Sequence, residues 1–293
     1  MTSLSTLVAE ELALPVDPRV SAMAAAIAAA YPGAARAVLF YGSCLREERL
    51  DGLMLDFYLI VSSYREAYGR GWYAFANRLI PPNVFPFEHA GLAAKYAVLS
   101  EADFHRENGP EARTVSVWAR FAQPSRLVWA ADEAAREKAV EAVSRAAPTL
   151  FGFALPMVEE SERGDPLAVW RRGFRLTYDS ELRAERKGRS GSIVDTEPER
   201  YARFGAAALP LALPLTAEKA KRRWRRFRRK GKTMSVVRLA KATTTFAGGV
   251  DYIAWKINRH AGTNIVVKPW QRRWPILGAL TLLPRLLRRG AIR

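Results

Sequence analysis

Ala37-Val38-Leu39-Phe40-Tyr41-Gly42-Ser43 is followed, after a short polar stretch, by Met54-Leu55-Asp56-Phe57-Tyr58-Leu59-Ile60-Val61. The first apolar run predicts a strand over 37–41 that ends in a Gly-Ser turn. The second predicts a strand over 54–61 that carries a single carboxylate. Side chains alternate between the faces of a strand, so Met54, Asp56, Tyr58 and Ile60 share one face and Leu55, Phe57 and Leu59 the other. An acid in the middle of such a strand is costly unless it is paired or metal-bound. Gly42 lets the backbone come close to an anion. Ser43 adds a hydroxyl, and both backbone N–H groups can point at a phosphate. Magnesium suits Asp56, because that ion takes one or two carboxylates and leaves room for substrate phosphates.

This layout resembles the nucleotidyltransferases of the DNA polymerase beta type. The resemblance implies that Tyr41, Gly42 and Ser43 hold the phosphates of a nucleoside triphosphate and that Asp56 holds Mg²⁺. Many such enzymes have a second acid two residues further along the same face, where this chain has Tyr58. Glu47, Glu48, Asp51 and Glu88 are the candidates to supply one from a loop. The alternative is a site with one well-defined ion.

Around this pair the chain predicts helices over 19–30 and 64–78, a strand over 92–99, a helix opened by Ser100, and a strand over 125–130. Glu101 and Asp103 favour the first turn of the helix after Ser100. The order fits an α/β (α+β) domain, a mixed sheet with helices packed on it. Beyond Ala131 the pattern turns helical, over 132–146, 165–177 and 198–208. The expected division is a nucleotide-binding domain at 1–131, a helical lobe at 132–215 and a basic C-terminal region at 216–293. The loop 187–192 reads as a surface loop, with a phosphate-binding flap as the other possibility.

More specific motifs run in order along the chain: Met54-Leu55-Asp56-Phe57, then Leu92-Ala93-Ala94-Lys95-Tyr96-Ala97-Val98-Leu99-Ser100, then Leu176-Thr177-Tyr178-Asp179-Ser180-Glu181-Leu182-Arg183. Together with the basic amphipathic stretch 235–259 they resemble the mitochondrial translocator-assembly-and-maintenance family of phosphatidate cytidylyltransferases. That resemblance implies the reaction of CTP with phosphatidic acid to give CDP-diacylglycerol and pyrophosphate, with Mg²⁺, for phospholipid synthesis. By position it carries over Gly42, Ser43, Asp56, Lys95, Tyr178, Glu181 and Arg183, with Asp56, Lys95 and Arg183 as the catalytic groups. The chain departs from the family in its Gly-Ser-Cys turn and in having Glu181 where the family has Asp. The segment after Gly262 has no counterpart.

Charge separates the ends of the chain. Residues 216–293 contain 21 Lys/Arg and 2 Asp/Glu, whereas the first 215 contain 25 and 27. Such a basic block favours an anionic partner. The run Lys221 to Lys230 is interleaved with Trp224 and Phe227, and apolar residues recur at near-helical spacing from Val236 to Ile257. Pro275 to Leu287 is apolar, flanked by arginines and too short to span a bilayer. An anionic membrane surface is therefore expected to meet Arg222, Arg223, Trp224, Arg226, Phe227, Phe246, Trp255 and Trp274. Nothing else in the chain resembles a nucleic-acid module.

One cysteine, Cys44, excludes an internal disulfide. It reads as a small loop residue, and the three histidines, His89, His105 and His260, show no metal-ligand spacing. The first twelve residues have two glutamates and no basic residue, the opposite of a secretory signal. A peripheral protein on the cytoplasmic face of a bacterial inner membrane is the expectation. Two others stay open: a nucleotidyltransferase with another lipid phosphate, a soluble or a nucleic-acid acceptor, and a non-catalytic lipid-binding relative.

Overall fold

The computed structural model describes residues 2–46, 50–181, 189–245 and 268–269. Two helices open the chain, α1 (Leu4–Leu12) and α2 (Pro18–Ala29). The side chain of Ser3 caps α1, and Asp17 followed by Pro18 starts α2, the residue types that satisfy free N–H groups at a helix entry. β1 (Ala35–Tyr41) and β2 (Met54–Val61) follow as the sequence predicts. The helix predicted over 64–78 is in fact two, α3 (Tyr64–Tyr68) and α4 (Trp72–Leu79). Gly69 breaks it with a φ of 67°, a conformation that favours glycine.

β3 (Asn83–His89) and β4 (Leu92–Ser100) form a hairpin around Ala90 and Gly91, both at positive φ, as two-residue hairpin turns require. β3 has no counterpart among the predicted strands. It contains Pro86 and lies at the edge of the sheet, where a missing N–H is tolerated. Ser100 caps α5 (Glu101–Asn108), as predicted. α6 (Trp118–Phe121) and β5 (Ser125–Ala130) complete the α+β part.

The sheet is mixed and five-stranded, in the order β3-β4-β2-β1-β5. β2 and β4 run parallel, and the other neighbours are antiparallel. Leu55, Phe57, Leu59 and Val61 pack against Val20, Met23 and Ile27 of α2. Tyr58 and Ile60, on the other face, belong to a second cluster with Trp118, Phe153, Trp170 and Phe174. That cluster runs through α7 (Glu133–Ser144), α8 (Ala146–Ala154), α9 (Pro166–Tyr178), α10 (Arg189–Thr196) and α11 (Pro198–Ala208). The face bearing Asp56 is thus turned toward α7–α11, with α2 on the opposite face, and the candidate site lies between the sheet and this helical layer. Of the loop 187–192, residues 187 and 188 lie outside the described residues and 189–192 open α10.

The basic region corrects the expectation of a membrane-facing run. Residues Ala217–Thr245 form one long helix, α12. Ala220, Trp224, Phe227 and Gly231 recur at steps of four and three, and all are buried. Trp224 and Phe227 are each 1% exposed. The Trp224 indole donates to the Phe153 carbonyl at 2.8 Å, and its ring packs on Trp118 and Phe227. Arg223 also turns inward, donating to the carbonyls of Pro110 and Ala112 at 2.9 and 2.8 Å. Trp224 and Phe227 are internal and cannot contact a bilayer, and Arg223 is half-buried with its guanidinium engaged by these carbonyls. Arg222 and Arg226 are exposed on the outer side of α12. Phe246, Trp255 and Trp274 lie outside the described residues. No helix among the described residues is long and apolar enough to cross a membrane.

Candidate functional site

Parallel pairing of β2 with β4 sets Asp56 directly beside Lys95. The Lys95 ammonium meets Asp56 Oδ1 at 2.8 Å, with the two side chains 25% and 24% exposed. The other carboxylate oxygen, Oδ2, faces the Gly42 turn. A Cβ built on Gly42 would stand 3.5 Å from it, and Gly42 has a φ of 99°. The turn therefore depends on glycine for its backbone conformation. Ser43 is exposed and begins a short 3-10 turn over Ser43–Arg46. Antiparallel pairing places Tyr41 opposite Asp56. Burial, and then the Asp56 charge, hold the Tyr41 hydroxyl well above the ordinary phenol pKa, so it stays protonated.

Tyr58 fills the place of a second acid with an aromatic wall. It is buried and packs on Tyr41 and Phe121, with ring centroids 5.3 and 5.2 Å apart. The suggested loop acids do not converge on Asp56. Asp51 pairs with Arg19 at 3.2 Å. Glu88 is exposed on the edge strand opposite Ala93, separated from β2 by β4. Glu47 and Glu48 lie outside the described residues. Among the described residues no cluster of three or more His, Cys, Asp and Glu could hold a metal ion. The donor set is one carboxylate with an oxygen turned toward the Gly42 turn. It fits an ion that fills its remaining positions with water and substrate phosphate, as Mg²⁺ does.

Glu181, just after α9, is buried, and its Oε1 accepts from the Ser116 hydroxyl at 2.5 Å. Arg120 of α6 lies 3.9 Å from the same oxygen and donates to the Ser116 carbonyl. Burial pulls the Arg120 guanidinium down, but Glu181, Tyr58, Tyr41 and Asp56 outweigh it and hold its pKa above the ordinary value. Tyr178 packs against the same core at the end of α9. Arg183 lies outside the described residues. The cations that the structure does bring to the site are Lys95, Arg120 and Arg238.

Arg238 reaches in from α12. It donates to Ser116 Oγ at 2.7 Å and to the Pro81 carbonyl at 2.9 Å. Burial lowers its pKa, opposed by Tyr58 and Glu181. Among the described residues no carboxylate lies within ion-pair distance of it. Sequence reasoning missed both Arg120 and Arg238, since only tertiary approach distinguishes them from the other arginines. Gly231, about two turns before Arg238 on α12, lies against the end of α9: a Cβ there would overlap the Ser180 carbonyl.

Beside Arg238 lies a cavity of about 440 Å³. Its apolar lining includes Leu79, Leu99 and Val117, and its cationic groups are Arg113, Arg229, Lys230 and Arg238. The single carboxylate that lines it, Glu107, is paired with Arg106 at 3.0 Å. Leu99 is four residues from Lys95 on the same face of β4, about 13 Å along the strand. A larger cavity of about 670 Å³, between α1, α7 and residues 211–213, includes none of these groups.

Lys241 fastens α12 to the loop before β3. Its ammonium donates to the carbonyls of Ile80 and of Pro82, the latter at 2.8 Å. Burial, and then the charge of Arg238, pull its pKa down to about 7. An unfolded chain holds that proton up to about pH 10.4. Between these values the unfolded state binds more protons, so stability rises with pH, by up to about 1.4 kcal/mol per unit from this group. Lys241→Met is expected to remove that slope in urea unfolding followed from neutral to alkaline pH. An unchanged slope would mean that Lys241 is solvated.

Cys44 is buried in the core beneath the turn, its thiol directed at the Met54 carbonyl, consistent with a small packing residue. His89 lies on β3 and His105 beside Glu141, and His260 is outside the described residues. The chain was also compared with known proteins: no family model matches it, and no curated protein matches it in sequence.

Proposed function

We propose that this chain is a Mg²⁺-dependent cytidylyltransferase of the polymerase-beta nucleotidyltransferase type. On this reading it transfers CMP from CTP to phosphatidic acid at an anionic membrane surface. The observation that carries the reading is the division of Asp56: one oxygen on Lys95, the other turned to the Gly42-Ser43 turn. A lone structural ion pair would not call for a glycine turn at positive φ against its free oxygen. The order of motifs from Met54 to Glu181 supports the choice of acceptor.

Asp56 would hold the Mg²⁺, with substrate phosphates completing its shell. When bound, the ion offsets the negative charge of the triphosphate. Gly42 and Ser43 receive the leaving phosphates through backbone N–H and hydroxyl. The acceptor is a phosphate monoester whose second pKa is about 6, so its attacking oxygen is already deprotonated at neutral pH. No general base is required, and Tyr58 at the second-acid position costs nothing. The acceptor oxygen bonds to the α-phosphorus of CTP, the α–β bridging bond breaks, and its electron pair leaves with pyrophosphate. Two anions must approach closely, and Lys95, Arg120 and Arg238 lower that repulsion. Arg222 and Arg226, exposed on α12, face outward to anionic headgroups.

Purified protein given Mg²⁺, α-labelled CTP and phosphatidic acid in mixed micelles is expected to form labelled CDP-diacylglycerol. Labelled product from another triphosphate or another lipid phosphate would correct the base or acceptor. Mg–CTP binding without product from any lipid phosphate would overturn the lipid reading.

A further inference from the structure

α4 carries large apolar side chains that the fold leaves uncovered. Trp72, Phe75 and Leu79 are 61%, 59% and 61% exposed. Their spacing of three and four puts them on one stripe of the helix, and the Trp72 and Phe75 rings lie 5.9 Å apart. α4 is tied down beside and behind the stripe: Ala76 at its edge and Asn77 on the opposite side are buried, and the Asn77 amide donates to the Val98 carbonyl at 2.9 Å. The stripe is therefore held outward by a fixed helix. Contiguous exposed apolar surface of this kind marks an interaction site.

We infer that this face of α4 is a docking surface for an anionic lipid bilayer, with Trp72, Phe75 and Leu79 entering the headgroup–acyl boundary. Its charge surroundings select that partner. Arg70 precedes the stripe and Arg78 flanks it, both exposed. Leu79 shares its cavity with Arg229 and Lys230 of α12. A cationic rim around an apolar wedge bearing a tryptophan matches the depth profile of an anionic membrane interface. The same rim opposes a second copy of this chain, which would bring like charges face to face. It also opposes the chain's own residues 246–293, which hold nine Lys/Arg and one acidic residue.

Leu79 belongs to both the stripe and the exposed lining of the cavity beside Arg238. Docking through α4 thus sets the mouth of that cavity at the membrane, with its apolar lining continuous with the inserted stripe through Leu79. The inference rests on the membrane side of the proposed function and specifies which face meets the lipid.

The test uses the full-length chain with vesicles of phosphatidylglycerol mixed with phosphatidylcholine. The double variant Trp72→Glu/Phe75→Glu is expected to bind them about tenfold or more weakly, since it exchanges burial of two aromatic side chains for two charges. Its thermal unfolding should match the wild type, because both side chains are exposed. Brominated phosphatidylglycerol should quench the wild type more than Trp72→Phe, which isolates Trp72 among the eight tryptophans. Wild-type vesicle binding with equal affinity in the double variant, or equal quenching in Trp72→Phe, overturns this inference alone. A wild-type dimer that the double variant dissociates without vesicles overturns it in favour of a second copy. Wild type that binds no vesicles overturns both this and the membrane location.

Discussion

Asp56→Asn is expected to lower kcat/KM for CTP by about a thousandfold, about 4 kcal/mol of transition-state stabilisation, and to leave the fold intact. The substitution keeps the shape of the side chain and an oxygen for Lys95 to donate to. It removes the charge that would hold Mg²⁺ against the Gly42 turn. The stability cost is limited because the asparagine amide oxygen can still accept from Lys95, whose ammonium keeps some contact with water at about one-quarter exposure. Strand β2 is otherwise anchored by Leu55 and Phe57, both fully buried. Loss of turnover and weaker Mg–CTP binding, with unchanged thermal unfolding, would place the metal on Asp56. Turnover near the wild-type level would remove Asp56 from the site, and the Gly42 turn would need another explanation.

Much of the sheet can be read from residue order because its strands carry unambiguous patterns. β2 is apolar throughout except for Asp56, and its bounds match those predicted from the sequence. β3 is not legible, because Pro86, Glu88 and His89 interrupt any strand pattern, and only its edge position makes them tolerable. α8 is also missed. Eight of its nine residues are buried, so it has no polar face from which to read a helical period. Within the site, Asp56 and Lys95 stand out singly, but their side-by-side register follows from a parallel crossover that local pattern does not encode. Arg120 and Arg238 are two arginines among many. Their importance comes from meeting at Ser116, whose carbonyl accepts from Arg120 and whose hydroxyl oxygen accepts from Arg238, which is a property of packing alone.

The same limit explains the misreading of the basic run. Trp224 and Phe227 between arginines suggest an interfacial anchor when only residues 221–230 are considered. Extending the period to Ala220 and Gly231 reveals a narrow buried stripe, one residue wide, along an otherwise charged helix. Through that stripe α12 is pressed onto the helices, and this contact delivers Arg238 to the site. The exposed arginines can still meet an anionic surface, while the inward face serves the fold. One helix thus joins an exposed array of arginines to the candidate active site.

Trp224→Ala separates these roles with the largest expected effect on stability. The side chain is 1% exposed, surrounded by Trp118, Phe153 and Phe227. Truncating a buried tryptophan costs about 3–5 kcal/mol through lost burial and the cavity left behind. The Phe153 carbonyl also loses its indole donor, and an unsatisfied buried acceptor adds to the cost. Urea unfolding should therefore show a strongly lowered midpoint, and vesicle binding by the folded fraction should be retained. Arg222→Glu/Arg226→Glu should behave in the opposite way, with stability near the wild type and weaker, less salt-sensitive binding to anionic vesicles. If Trp224→Ala kept full stability and lost vesicle binding instead, Trp224 would be a membrane anchor. The packing that carries Arg238 into the site would then be wrong as well.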